Sequence, residues 1–175
     1  MPKLCAMLVF LLSPVVSAGA DITGLQVALE EDGVRVSFSL SDAFHPEIAD
    51  RIKSGLETSF AVKIRIDQQR EYWFNRRVEE WELRLTCTYD SVASAYRVSK
   101  AYQGHVYESL VVDTEAEMKE AMSRVSRLKV ADNGMLRHNA DYILKVKGEL
   151  MSRYVLLVVP WDIDTPWREK RFTFN

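Results

Sequence analysis

The run from Glu80 to Tyr89, EWELRLTCTY, sets Trp81, Leu83, Leu85, Cys87 and Tyr89 against Glu80, Glu82, Arg84, Thr86 and Thr88 in strict alternation. Side chains of a β-strand point alternately to opposite faces, so a period of two over ten residues describes a strand with one dry and one wet face. A helix of the same sequence would spread its apolar groups around the whole cylinder. Sheets that are wet on one side are typically antiparallel.

The same period appears on both sides of this run. Phe60, Val62, Ile64 and Ile66 alternate with Lys63, Arg65 and Asp67. Nearer the N-terminus, Leu25, Val27 and Leu29 lead through Asp32-Gly33 to Val34, Val36, Phe38 and Leu40, which predicts a hairpin with its turn at Asp32-Gly33. Further strands are predicted at Tyr96–Ala101, at His105–Val112, around Tyr142, Leu144 and Val146, over the apolar Tyr154–Val159, and at Phe172/Phe174. Two stretches break the period. Pro46 suits a first helical position, Ile48 and Ile52 lie one turn apart, and Gly55 can end the turn, so 46–54 is predicted to be a short helix. Thr114-x-x-Glu117 is a capping box, and Met118, Ala121, Met122, Val125 and Leu128 follow as an apolar stripe, which predicts an amphipathic helix over 114–128. Early Glu115, Glu117 and Glu120 and late Arg124, Arg127 and Lys129 complement its dipole. The expected fold class is β-rich α+β, a mainly antiparallel β-sandwich with both helices packed on a face or an end.

The first residues read as a signal peptide over 1–20. Lys3 precedes the apolar Leu4–Leu12, which is too short to span a bilayer, and Ala18-Gly19-Ala20 has the small residues a signal peptidase requires. Residues 21–175 are then expected to be a single exported domain in the periplasm, with no later stretch long enough to cross a membrane. Loss of the leader removes Cys5 and leaves Cys87 as the sole cysteine, so an internal disulfide is excluded. A formal net charge of −2 provides no electrostatic basis for binding nucleic acid.

Chemistry is hard to place on this sequence. His45, His105 and His138 lack the short-range partners that catalysis or a metal demands. Cys87 lies mid-strand on an apolar face, where a thiol is unreactive. Asp162 and Asp164, even joined by Asp132 or Asn133, fall short of the oxygen-rich loop a calcium ion needs. Nucleophile elbows, zinc-protease helices and phosphate-binding glycine loops do not occur. The expectation is a protein that is not an enzyme, with no catalytic residue, no metal site and no cofactor.

The aromatic and basic residues remain. Tyr72, Trp73 and Phe74 sit between Arg70 and Arg76-Arg77, and Trp161, Trp167, Arg168, Lys170 and Arg171 repeat the mixture near the C-terminus. Three consecutive large aromatics cannot all face one core if extended. Tyr72, Trp73, Phe74, Arg76 and Arg77 are therefore the candidate partner-binding residues. The competing expectation is that such rings plug the sandwich ends beneath stacked guanidinium groups. Two other functions compete with this reading. Tyr89, Tyr96, Met118, Met122 and Tyr142 could line a space for a lipid or other apolar ligand between the sheets. A small outer-membrane barrel is disfavoured by two helices that interrupt the strands.

In order along the chain, the leader, the hairpin, Ser54-Gly55-Leu56, Tyr72-Trp73-Phe74 with Arg77-Val78, the strand ending at Tyr89-Asp90, Tyr96-Arg97-Val98, the 114–128 helix, Tyr142, and Trp161-Asp162…Trp167…Phe172-Thr173-Phe174 form a series. This series resembles the exported bacterial proteins grouped as domain of unknown function 4390. It departs from that pattern at Leu157–Pro160, where Leu-Val-Val-Pro stands in place of Leu-Pro. The resemblance implies a bacterial periplasmic protein without an assigned reaction, with no catalytic residue to transfer. It also implies an envelope partner, such as a membrane sensor kinase, because family members are sometimes encoded near such kinases.

Overall fold

The structure, a computed structural model, describes residues 19–155 and 159–175, without the side chains of 151–163. Most of the predicted leader, and Leu156–Val158 of the predicted apolar strand, lie outside the described residues.

In chain order the elements are β1 (Asp21–Glu30), β2 (Gly33–Ser41), α1 (Pro46–Lys53), β3 (Thr58–Gln68), β4 (Arg76–Asp90), β5 (Ala95–Tyr102), β6 (His105–Val112), α2 (Glu115–Ser123), β7 (Arg124–Ala131), β8 (Ala140–Val155), β9 (Val159–Asp164) and β10 (Arg168–Phe174). A short 3-10 turn, Asn133–Met135, precedes β8. One sheet has the order β1-β2-β7; the other runs β10-β8-β3-β4-β5-β6, with β9 continuing the β10 edge of β8. Every strand pairing is antiparallel. The fold is a β-rich α+β sandwich, as the alternation predicts.

The dry faces meet as expected. Phe60, Val62, Ile64 and Ile66 of β3 and Leu83, Leu85 and Cys87 of β4 are fully buried, facing Val34, Val36, Phe38 and Leu40 of β2. Each buried side chain of this size contributes about 1.5–3 kcal/mol relative to exposure. The helices add Ile48 and Ile52 from α1 and Met118 and Met122 from α2 to the same core. Side chains also stitch the sandwich along two seams. Arg168 of β10 forks onto the Asp21 carboxylate of β1, one arm at 2.8 Å. At the opposite seam Lys100 Nζ and Tyr102 Oη of β5 donate to the Arg124 and Val130 carbonyls of β7, at 3.0 and 3.4 Å.

Three expectations need correction. The first turn is Glu31-Asp32, because Glu30 pairs with Gly33. Gly33 opens β2 at φ +148°, and a Cβ there would stand 2.1 Å from the Ala131 carbonyl oxygen of β7. Close backbone approach, as well as dihedral freedom, therefore requires glycine. The amphipathic helix ends at Ser123 rather than 128, and Val125 and Leu128 belong to β7. The ladder between β2 and β7 slips between Val125 and Leu128, where Arg127 takes φ +50°. That bulge inserts a residue and gives the two apolar groups a spacing of three, which mimics a helical stripe. Finally, the predicted strands at Tyr142–Val146 and Tyr154–Val159 are one long β8 up to Val155, and Val159 starts β9.

Candidate functional site

β3 and β4 are long partners, and their alternation dictates where the connecting loop begins. Past Ile66 the ladder shifts: Ile66 pairs with Glu79 and Asp67 with Arg77, leaving half-buried Val78 as the extra residue. Asp67 keeps the face of Arg65, yet it is buried there, receiving Arg65 at 3.1 Å and Lys145 at 3.6 Å. One residue beyond β3, the Gln69 N–H donates to the Asp141 carbonyl at 2.8 Å, tying the loop base to the start of β8. From there the chain leaves the sheet. Gln69 to Arg77 are nine consecutive exposed residues.

Tyr72, Trp73 and Phe74 retain 88, 77 and 96% of their surface in water. Leaving three adjacent large aromatics this open forfeits the burial that normally stabilises such residues, and exposed apolar clusters mark contact sites. Adjacency called for at least one ring to be partly exposed or to fold over a sheet edge; the structure exposes all three, so they do not plug an end of the sandwich. Arg77 reaches Glu80 at 3.3 Å in a solvated pair. Arg70 and Arg76 have no carboxylate partner among the described residues. The loop thus presents three aromatic rings beside two free guanidinium groups and a loosely held third.

The second aromatic–basic cluster is built differently. Arg65 of β3 stacks its guanidinium 5.2 Å from the Trp167 ring centroid, and its buried Nε has no hydrogen-bond partner among the described residues. Arg168 is held by Asp21, whose carboxyl the arginine keeps below the ordinary carboxylate range. Lys170 and Arg171 are exposed, and the Trp161 side chain lies outside the described residues.

The remaining candidates are dispersed. His45 precedes α1, His105 opens β6, and exposed His138 packs its ring 5.1 Å from Phe174. Cys87 is buried, and desolvation pushes its thiol up to about 11. Asp132 pairs with Lys129 at 2.7 Å and Asp164 with Lys147 at 2.6 Å, on different sheets, while the Asp162 side chain lies outside the described residues. Among the described residues no cluster of three His, Cys, Asp or Glu is placed to hold a metal ion.

The apolar-ligand alternative also changes. Tyr96, Met118, Met122 and Tyr142 are packed core residues, each at most 6% exposed, and Tyr89 packs its ring 4.7 Å from that of Tyr96. Open grooves occur instead along the β5–β7 seam; one, of about 480 Å³, is lined by Tyr102, Tyr107 and Leu128 among others. Lys100 was missed by sequence reasoning. It is nearly buried on the inner face of β5, bound to the Arg124 carbonyl and to Glu108 at 3.1 Å. Its parity with Tyr96 and Val98 was the available signal.

The fold and this loop define a class: a β-sandwich domain whose most accessible feature is an aromatic hairpin tip rather than a cleft with reactive groups. More particularly, the chain belongs to the family described as Domain of unknown function (DUF4390), which matches residues 17–170. No curated protein matches the chain. No solved structure matches it either. Among the described residues no helix is long and apolar enough to cross a membrane.

Proposed function

We propose that this chain is a non-enzymatic interaction module of the bacterial cell envelope, exported to the periplasm behind a leader at residues 1–20, which docks through the Tyr72–Arg77 loop. The observation that carries this reading is the exposure of all three rings in the loop that joins β3 and β4 at the end of the sheet. Tyr, Trp and Arg are the residues that most often dominate binding energy when a partner covers them. Export is supported by the leader pattern of the first twenty residues. The docking target is a component of the cell envelope; a membrane sensor kinase is the candidate protein partner of the module as a whole.

Cross-linking in intact cells, comparing wild type with the Trp73→Ala/Arg77→Ala double variant, tests the reading. Wild type should yield a cross-linked envelope species that the variant loses. Equal recovery by both forms would remove the loop from the account. The mass of the mature N-terminus, read from a periplasmic fraction, tests export independently: an intact Met1 would count against it.

A further inference from the structure

We infer that the surface on which the Tyr72-Trp73-Phe74 loop docks is the headgroup layer of an anionic bilayer. This rests on the loop being the docking element, and specifies what it touches.

Shape is the first ground. The rings are consecutive at the apex of a hairpin connection and 77–96% exposed, so they form a convex tip. Energetic anchors of protein interfaces usually lie at the centre of a broad patch, ringed by contacts that exclude water. Here the residues on either side of the rings are charged or polar and also exposed: Arg70 and Glu71 before them, Asn75, Arg76 and Arg77 after. A convex aromatic wedge needs a surface that yields, and a lipid interface does. Tyr and Trp concentrate at that interface, where an amphipathic ring spans the step from headgroup to acyl chain.

Charge complementarity is the second ground. The chain as a whole carries a formal net charge of −2. The stretch 70–78 around the rings is locally basic. Arg70, Arg76 and Arg77 stand with a single carboxylate, Glu71, between Arg70 and Val78, and Glu79 and Glu80 follow within β4. Exposed Arg171 lies at the same end, registering through Ile143 with Asp67, and exposed Asp141 lies there too, its side chain accepting from Thr173. Arg70 and Arg76, lacking carboxylate partners among the described residues, are free to meet phosphates without breaking an ion pair. Basic residues near an anionic membrane surface each add to binding, and several acting with an apolar insertion make it stable. Opposite signs, rings at the apex and guanidinium groups one step behind match the depth profile of a phospholipid surface.

The test is co-sedimentation of the protein, purified from its native compartment, with vesicles of phosphatidylethanolamine and phosphatidylglycerol, and with vesicles of phosphatidylcholine alone. Wild type should bind the anionic vesicles and bind the neutral ones at least tenfold more weakly. Trp73→Ala/Phe74→Ala and Arg70→Ala/Arg76→Ala should each weaken anionic binding by about tenfold or more, the arginine pair being the one sensitive to salt. All variants share one N-terminus, so residual leader sequence contributes equally and cannot produce the difference. Absence of anionic binding, or equal binding by wild type and both variants, would overturn the proposal. A parallel capture in detergent separates the two levels. Loop-dependent recovery of an envelope protein without vesicle binding would sink the lipid assignment and leave the docking role standing, whereas failure of both would remove both.

Discussion

Two regions of this molecule are written in the same residue types and behave in opposite ways. Around Trp167, an arginine beneath the ring and an arginine–aspartate fork beside it attach β10 to β3 and to β1. Around Trp73, the rings stand in water and Arg70 and Arg76 have no carboxylate partner among the described residues. The difference lies in what is underneath. Trp167 lies over the wet face of a sheet, where Arg65 is already fixed by Asp67. The Tyr72–Phe74 rings begin several residues after the last ladder pair of β3, beyond the reach of any neighbouring strand. An aromatic–arginine cluster is thus a structural clasp when a sheet supports it and a contact element when a loop carries it away.

The contrast between stem and tip gives the largest expected effect. Ile64→Ala in the buried part of β3 should destabilise the protein by about 3 kcal/mol, from lost burial plus an unfilled cavity. That corresponds to a fall in Tm of about 6–12 °C for a chain of this size, measurable by calorimetry. A smaller effect is expected at the clasp. Trp167→Ala should cost about 1 kcal/mol, because a partly exposed ring and one cation–π contact are removed. Urea unfolding of Trp167→Ala, Arg65→Ala and the double variant would show coupling between the two residues. Simple additivity would mean that the stacking observed here contributes nothing to stability.

Acidification separates charge clasps from the loop in another way. Hydrogen bonds from Lys119 and then Lys53 lower the Glu115 carboxyl to about 2, and this carboxylate joins the end of α1 to the start of α2. A depressed folded-state value means the contribution is complete above the ordinary carboxylate range and is lost as pH falls from about 4.5 toward 2. Glu115→Gln should cost under about 1 kcal/mol at neutral pH, since the group is solvated. The same variant should flatten the stability curve in that acid window. An unchanged curve would show that the helix-to-helix bridge is absent in solution.

Much of this architecture was legible because burial imposes a period of two, which Phe60–Ile66 and Trp81–Tyr89 display without interruption. Legibility failed where local geometry disturbed the period. The bulge at Ser126-Arg127 gave β7 a helical spacing, and the capping box at Thr114 lent that spacing support. Lys100 escaped notice because a lysine on a dry face is rare, and its two partners come from β7 and β6, which no local pattern joins to it. The aromatic loop was half legible. Adjacency kept at least one ring out of a shared core, partly exposed or folded over a sheet edge, but which of these holds depends on register between β3, β4 and β8.

Thermal unfolding of a Tyr72→Ser/Trp73→Ser/Phe74→Ser variant tests the central claim most directly, because rings that serve contact rather than folding can be deleted without loss. The expected Tm lies within about 2 °C of wild type, as for surface substitutions generally. A drop of 6 °C or more, of order the loss expected from a core position such as Ile64, would show that the rings are packed in solution and would contradict the account.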